Sequence, residues 1–113
     1  MPAPVPGRPV RGSSTGRPVM AALDLLGRRW VLRILWELRG EPLGFRALQQ
    51  ACDGMSSSVL ASRLADLTST GIVMTDEAGD YTLSEIGQRL KTAIRPLQDW
   101  TRDWAASMEN RER

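Results

Sequence analysis

Residues 45–83 read FRALQQACDGMSSSVLASRLADLTSTGIVMTDEAGDYTL, and the succession of patterns within them decides the fold. Phe45, Leu48 and Cys52 step by three and four, the period of one helical face, so the spacing predicts a short helix over about 45–52. Asp53-Gly54 is a turn signal. Ser56, Ser57 and Ser58 offer helix N-caps, because a serine oxygen can accept from an otherwise unpaired amide of the first turn. Leu60, Leu64 and Leu67 give the next helix, about 56–69, its apolar face, and Gly71 supplies the stop. Two helices joined by a short glycine-containing turn are the skeleton of a helix-turn-helix. Ile72-Val73-Met74-Thr75 and Tyr81-Thr82-Leu83 then flank Asp76-Glu77-Ala78-Gly79-Asp80, which predicts a β-hairpin. A hairpin placed directly after a helix-turn-helix is a wing.

The same periodicity extends outward on both sides. Upstream, Leu23, Leu26, Trp30, Ile34 and Leu38 recur at steps of three and four. Gly27 divides this run into a helix of about 19–26, opened by Pro18, and one of about 28–39. Gly40 and Pro42 stop the second. Downstream, Ile86, Leu90, Ile94, Leu97, Trp100, Trp104 and Met108 predict an amphipathic helix over about 85–108, capped by Ser84. Pro96 should kink or break it, since its ring removes the donor for Thr92. The fold class expected is mainly α with a small β-hairpin wing, a winged helix-turn-helix.

Residues 1–18 carry Pro2, Pro4, Pro6, Pro9 and Pro18, five of the seven prolines in the chain, and almost no large apolar side chain. Such a stretch cannot bury enough to offset its ordering entropy. It is expected to be a disordered basic arm, passive or in contact with DNA, ahead of a single domain at 19–110.

Composition narrows the function. The 113 residues suffice for one domain with a modest core, so a second subunit would add stability. Of 15 basic residues, Arg8, Arg11 and Arg17 lie in the arm, where there is no acid. The other 12 face 13 acids, so bulk charge does not establish nucleic-acid binding and any phosphate-contacting surface must be local. Histidine is absent, which removes the usual general base, the commonest zinc ligand and the histidine-activated nucleophile pairs. No phosphate-cradling glycine loop is present. An enzyme, a metal and a cofactor are all unexpected. Cys52 is the single cysteine, which excludes an internal disulfide and fits a reducing cytoplasm. No apolar run is long enough for a membrane span.

The stretches ALDLLGRRWVLRILWELRGEPLGFRAL (22–48), SSSVLASRLADLTSTGIV (56–73) and DYTLSEIGQRLKTAIRPLQDW (80–100) resemble the HxlR-type regulators, a branch of the MarR-like winged helix-turn-helix proteins. The Leu-Gly-x-x-Trp opening, the Ile-Leu-Trp-Glu-Leu run and the Tyr-x-Leu-Ser-Glu-x-Gly element, in this order and spacing, carry the likeness over about 22–100. The resemblance implies a cytoplasmic bacterial transcription factor, a homodimer built through its N- and C-terminal helices. It also implies that helix 56–69 enters the DNA major groove and that a small-molecule effector, electrophile or oxidant can act on it. Three departures stand out. Val19-Met20-Ala21-Ala22 lacks the cysteine that many members carry before the first helix. Thr75-Asp76-Glu77 replaces a common arginine after the strand. The wing is short and acidic, a charge that phosphate repels.

These readings assign candidate residues. Ser56, Ser57, Ser58, Ser62 and Arg63, on or near the exposed face of the second helix, are the DNA-binding candidates, the serines for phosphates or bases and Arg63 for guanine. Arg46, where the preceding helix crosses the backbone, is a phosphate candidate. Arg28 and Arg29 are open between phosphate contact and ion pairs with Asp24 or Glu37. Leu97, Trp100, Trp104 and Met108 are the dimer-interface candidates, because a small domain has little core left for two tryptophans at its end. Trp30 and Trp36 are core residues or the walls of an effector pocket. Cys52 reads as a buried thiol, and as a sensor only if exposed beside a cation. The expected function is sequence-specific binding of double-stranded DNA at a pseudo-palindromic operator, as a repressor. The alternatives are a protein-interaction winged helix, or a small-molecule binding protein without a primary DNA role.

Overall fold

The computed structural model describes residues 2–10, 14 and 16–112. It contains α1 (Pro18–Leu26), α2 (Val31–Glu37), α3 (Phe45–Ala51), α4 (Ser57–Ser69), β1 (Val73–Thr75), β2 (Tyr81–Leu83) and α5 (Glu85–Arg111). The order is that of a winged helix-turn-helix.

Local chemistry accounts for the boundaries. Pro18 opens α1 at a position whose amide would be unpaired in any case. The division at Gly27 is longer than expected: Arg28 to Trp30 form a turn, Trp30 takes φ 77°, and α2 starts only at Val31. A bulky residue at positive φ is an outlier held by its surroundings, here by packing of the Trp30 ring against the core. Between α3 and α4, Asp53 and Gly54 take φ 60° and 71°, which turns the chain sharply into buried Met55. The end of α4 is a Schellman motif: Ile72 N donates to Leu67 O at 3.0 Å and Gly71 N to Thr68 O at 3.1 Å. Gly71 there takes φ 79°.

The strands pair antiparallel with Val73 opposite Leu83 and Thr75 opposite Tyr81, which puts the two buried residues on one face. Leu43, just before α3, adds an unexpected bridge at the outer edge, exchanging bonds of 2.8 and 3.0 Å with Tyr81. Val31, Ile34, Leu38, Leu48, Leu60 and Leu67 form the centre of the core, each at most 2% exposed. The core is thus shared by α2, α3 and α4 and roofed by the hairpin.

Helix α5 is capped by Ser84, whose Oγ accepts from Gly87 N at 3.1 Å. It crosses the domain at Gly87, where a β-carbon would overlap the Ile72 carbonyl oxygen. The expected break at Pro96 does not occur: α5 is continuous over 27 residues. One missing bond and one exposed ring are outweighed by the turns on either side. Beyond Ile94 every described residue of α5 is exposed.

In the segment expected as an arm, Pro4 is buried, Gly7 N donates to Gly16 O at 3.0 Å, and the Pro2 carbonyl accepts from Arg28 at 2.6 Å. Arg11 lies outside the described residues.

Candidate nucleic-acid interface

The apolar side of α4 (Leu60, Leu64, Leu67) is sunk into the core. Its opposite side carries Ser57, Ser58, Ala61, Ser62 and Ala65, all exposed. Every side chain on that side is short, so the helix backbone can approach a surface closely. At its start Ser56 Oγ accepts from Val59 N at 3.3 Å and lies 3.0 Å from Ser58 Oγ. Ser57 Oγ accepts from Gln49 Nε2 at 3.1 Å, and the same amide donates to Met55 O at 2.9 Å. Gln49 therefore fixes α3 to the first turn of α4, a role not foreseen from the sequence. The side chains of Ser62 and Arg46 have no hydrogen bond or ion pair within the described molecule, and Arg46 is exposed near the start of α3.

Arg63 stands elsewhere. Its Nε donates to Arg29 O at 2.9 Å and its Nη1 to Asp66 Oδ2 at 3.0 Å, with only 24% of the side chain exposed. Asp66 also meets Arg28 at 3.2 Å, and Arg28 reaches Asp24 at 3.8 Å. The expected guanine-reading arginine is thus a strut between α4 and the α1–α2 turn. It is turned inward because a buried carboxylate there needs cations beside it. Arg28 takes the ion-pair alternative. Arg29 is exposed, with its guanidinium 5.9 Å from the Trp30 ring, and Glu37 pairs with Arg33 instead, at 2.9 Å. The sequence held a signal for this network: Asp66 lies beside Leu67 on the apolar side, three residues after Arg63.

The wing tip is built by its own acid. Asp76 Oδ1 accepts from Ala78 N and Asp80 N, both at 2.9 Å, and Gly79 supplies φ 83°. Asp76 and Glu77 are exposed there.

The tryptophans separate into three settings. Trp30 packs on the core. Trp36, 43% exposed, lies under Arg39, whose guanidinium carbon is 3.8 Å from the ring centre. Trp36 lines an open cavity of about 700 Å³ between α2 and α5, and Trp30 does not. Of the two alternatives left open, Trp30 takes the core position and Trp36 stands at a cavity wall. Trp100 and Trp104 stack at 5.3 Å, both more than half exposed, and Leu97 and Met108 continue the stripe. Cys52 is fully buried. Burial pushes its thiol pKa up, only partly offset by the charge of Arg33.

Known proteins share this sequence and architecture. The family model described as HxlR-like helix-turn-helix matches residues 25–109. The HTH-type transcriptional regulator YvaP of Bacillus subtilis is 28% identical over 89 residues, covering 74% of this chain and 82% of YvaP. The HTH-type transcriptional regulator YodB of the same organism is 30% identical over 86 residues, covering 71% of this chain and 77% of YodB. The crystal structure of quinone-bound YodB superposes with a TM-score of 0.69, covering 75% of this chain and 94% of that one.

Proposed function

The chain belongs to the HxlR-like helix-turn-helix family and is a DNA-binding transcriptional regulator, and on that premise we propose that it acts as a cytoplasmic homodimeric repressor, not an enzyme, on a pseudo-palindromic operator. The observation that carries the proposal is the side of α4 opposite the core, a row of exposed serines and alanines above a helix held rigidly from beneath. Short side chains allow the helix to sit deep in a major groove, where serine hydroxyls meet base edges or phosphates and alanine methyls meet thymine methyls. Arg46 and the amides at the start of α4 hold phosphate. Ser57, Ser58 and Ser62 read bases, and Arg63 sets the tilt of the helix. Two such helices, joined through the Leu97, Trp100, Trp104 and Met108 stripe, would span half-sites about one helical turn apart. Repression follows from occupying the promoter. YodB has been seen with quinone, which supports response to a small molecule here too. The missing cysteine ahead of α1 and the burial of Cys52 turn that response toward non-covalent binding.

The test is retention of labelled DNA from upstream of the protein's own gene at several salt concentrations, against a scrambled competitor. Specific retention is expected. Arg46→Ala should weaken it similarly on both DNAs and reduce the salt slope by about 1, whereas Ser62→Ala should narrow the gap between specific and scrambled DNA. No retention at low salt would overturn the reading. It would favour the protein-interaction alternative, for which the acidic wing tip speaks.

A further inference from the structure

We infer that the cavity between α2 and α5 is a binding site for a small organic anion with an apolar, ring-sized body. Its volume of about 700 Å³ lies within the roughly 300–1,000 Å³ of small-molecule sites. Its walls are apolar, with Leu35 and Trp36 from α2 facing Leu90 and Ile94 from α5. Its rim is cationic. Arg33, Arg39, Lys91 and Arg95 all line it, and no carboxylate does.

The rim cations differ in how they are matched. Arg33 is neutralised by Glu37 at 2.9 Å and Asp53 at 3.2 Å. The other three have no carboxylate partner. Arg39 lies on the Trp36 ring and donates to Trp36 O at 2.8 Å. Lys91 donates to Arg39 O at 3.3 Å. Arg95, one turn after Lys91, has no hydrogen bond or ion pair within the described molecule. Three unmatched cations around an apolar hollow repel one another until an anion joins them, and charge-assisted bonds to a carboxylate or sulfonate are the strong ones. The apolar walls exclude a bare inorganic ion as the best fit, since it would leave them wet. An aromatic carboxylate satisfies both, with its ring against Trp36 and Leu90 and its charge at Lys91 and Arg95.

No residue of α3 or α4 lines the cavity, so the anion does not compete with DNA directly. It bridges α2, which packs on α3, and α5, which carries the exposed tryptophan stripe. A ligand there fixes the angle between the reading domain and α5. The inference thus deepens the regulator reading by naming the chemical class of its effector.

The experiment is calorimetric titration of the full-length protein, without DNA, with 2-naphthoate and with its neutral isostere 2-naphthamide. One naphthoate per chain is expected, bound about tenfold or more tighter than the amide, as one charge-assisted contact provides. The double variant Lys91→Gln/Arg95→Gln, at one half-buried and one exposed position of α5, should lose that preference while keeping the native melting temperature. Equal binding of acid and amide, an unchanged preference in the variant, or no binding by the native protein would each overturn the inference. Binding that appears only in a monomeric Trp104→Glu variant would also overturn it, and would assign the cavity to a second copy of this chain. DNA retention, measured without probe, is independent of all these outcomes.

Discussion

Asp66 is a carboxylate with 10% of its side chain exposed, and two guanidinium groups close on it. Removing one partner of a buried pair leaves charge without compensation, so Asp66→Ala should lose about 3 kcal/mol, measured by urea unfolding. Arg63→Ala should also lower the unfolding midpoint. A purely DNA-reading arginine would leave that midpoint unchanged, so the measurement separates strut from reader. Cys52 makes a second prediction at this scale. Its thiol pKa is raised by burial in the folded protein, so folding favours the protonated form. That contribution is complete below the unfolded thiol pKa, about 8.5, and is lost as pH rises toward the folded value. The stability difference between the native protein and Cys52→Ala should therefore shrink from pH 7 to pH 9.5. Rapid alkylation of the native thiol at pH 7 would contradict this. The identity of both residues was plain in the sequence. The second partner of Asp66 was not, because Arg28 lies 38 positions away in the chain (66 − 28).

Among the elements, helix periods and stops were legible to within a residue or two for α1, α3, α4 and the hairpin, because leucine spacing and glycine stops are local signals. The start of α2 was not. Its delay to Val31 depends on Trp30 adopting φ 77°, and the core contact that holds it there is long-range. The continuity of α5 through Pro96 has a similar origin, since flanking turns decide whether one lost bond matters. The junction of α4, hairpin and α5 depends on Gly87. Gly87→Ala should cost at least about 2 kcal/mol, because the Ile72 backbone cannot move aside. Gly40→Ala, with nothing within 4 Å of the added carbon, should change the melting temperature little. Equal effects in the two variants would refute the packing argument at Gly87.

At the scale of the molecule, a helix about 40 Å long at 1.5 Å per residue leaves its last turns uncovered, with Trp100 and Trp104 stacked and 53% and 54% exposed. Val19 and Leu23 on α1 are exposed as well. Apolar exposure of this kind marks an interface. Trp104→Glu should convert a dimer to a monomer in sedimentation and abolish operator retention, because two half-sites can no longer be held together. A variant that still sediments as the native protein does would relocate the interface.

The sequence by itself determined the order of elements, the winged helix-turn-helix class, the exposed side of α4 and the exposed apolar stripe on α5. Each follows from periodicity, capping and composition within a window of a few turns. Only the tertiary structure decided that Arg63 turns inward to Asp66, that Trp30 packs on the core while Trp36 lines the cavity, and that Arg39, Lys91 and Arg95 gather around one apolar hollow. Those outcomes depend on which distant side chains meet when α2 packs beside α4 and α5. Charges far apart in a chain find their partners through burial, which no local pattern records.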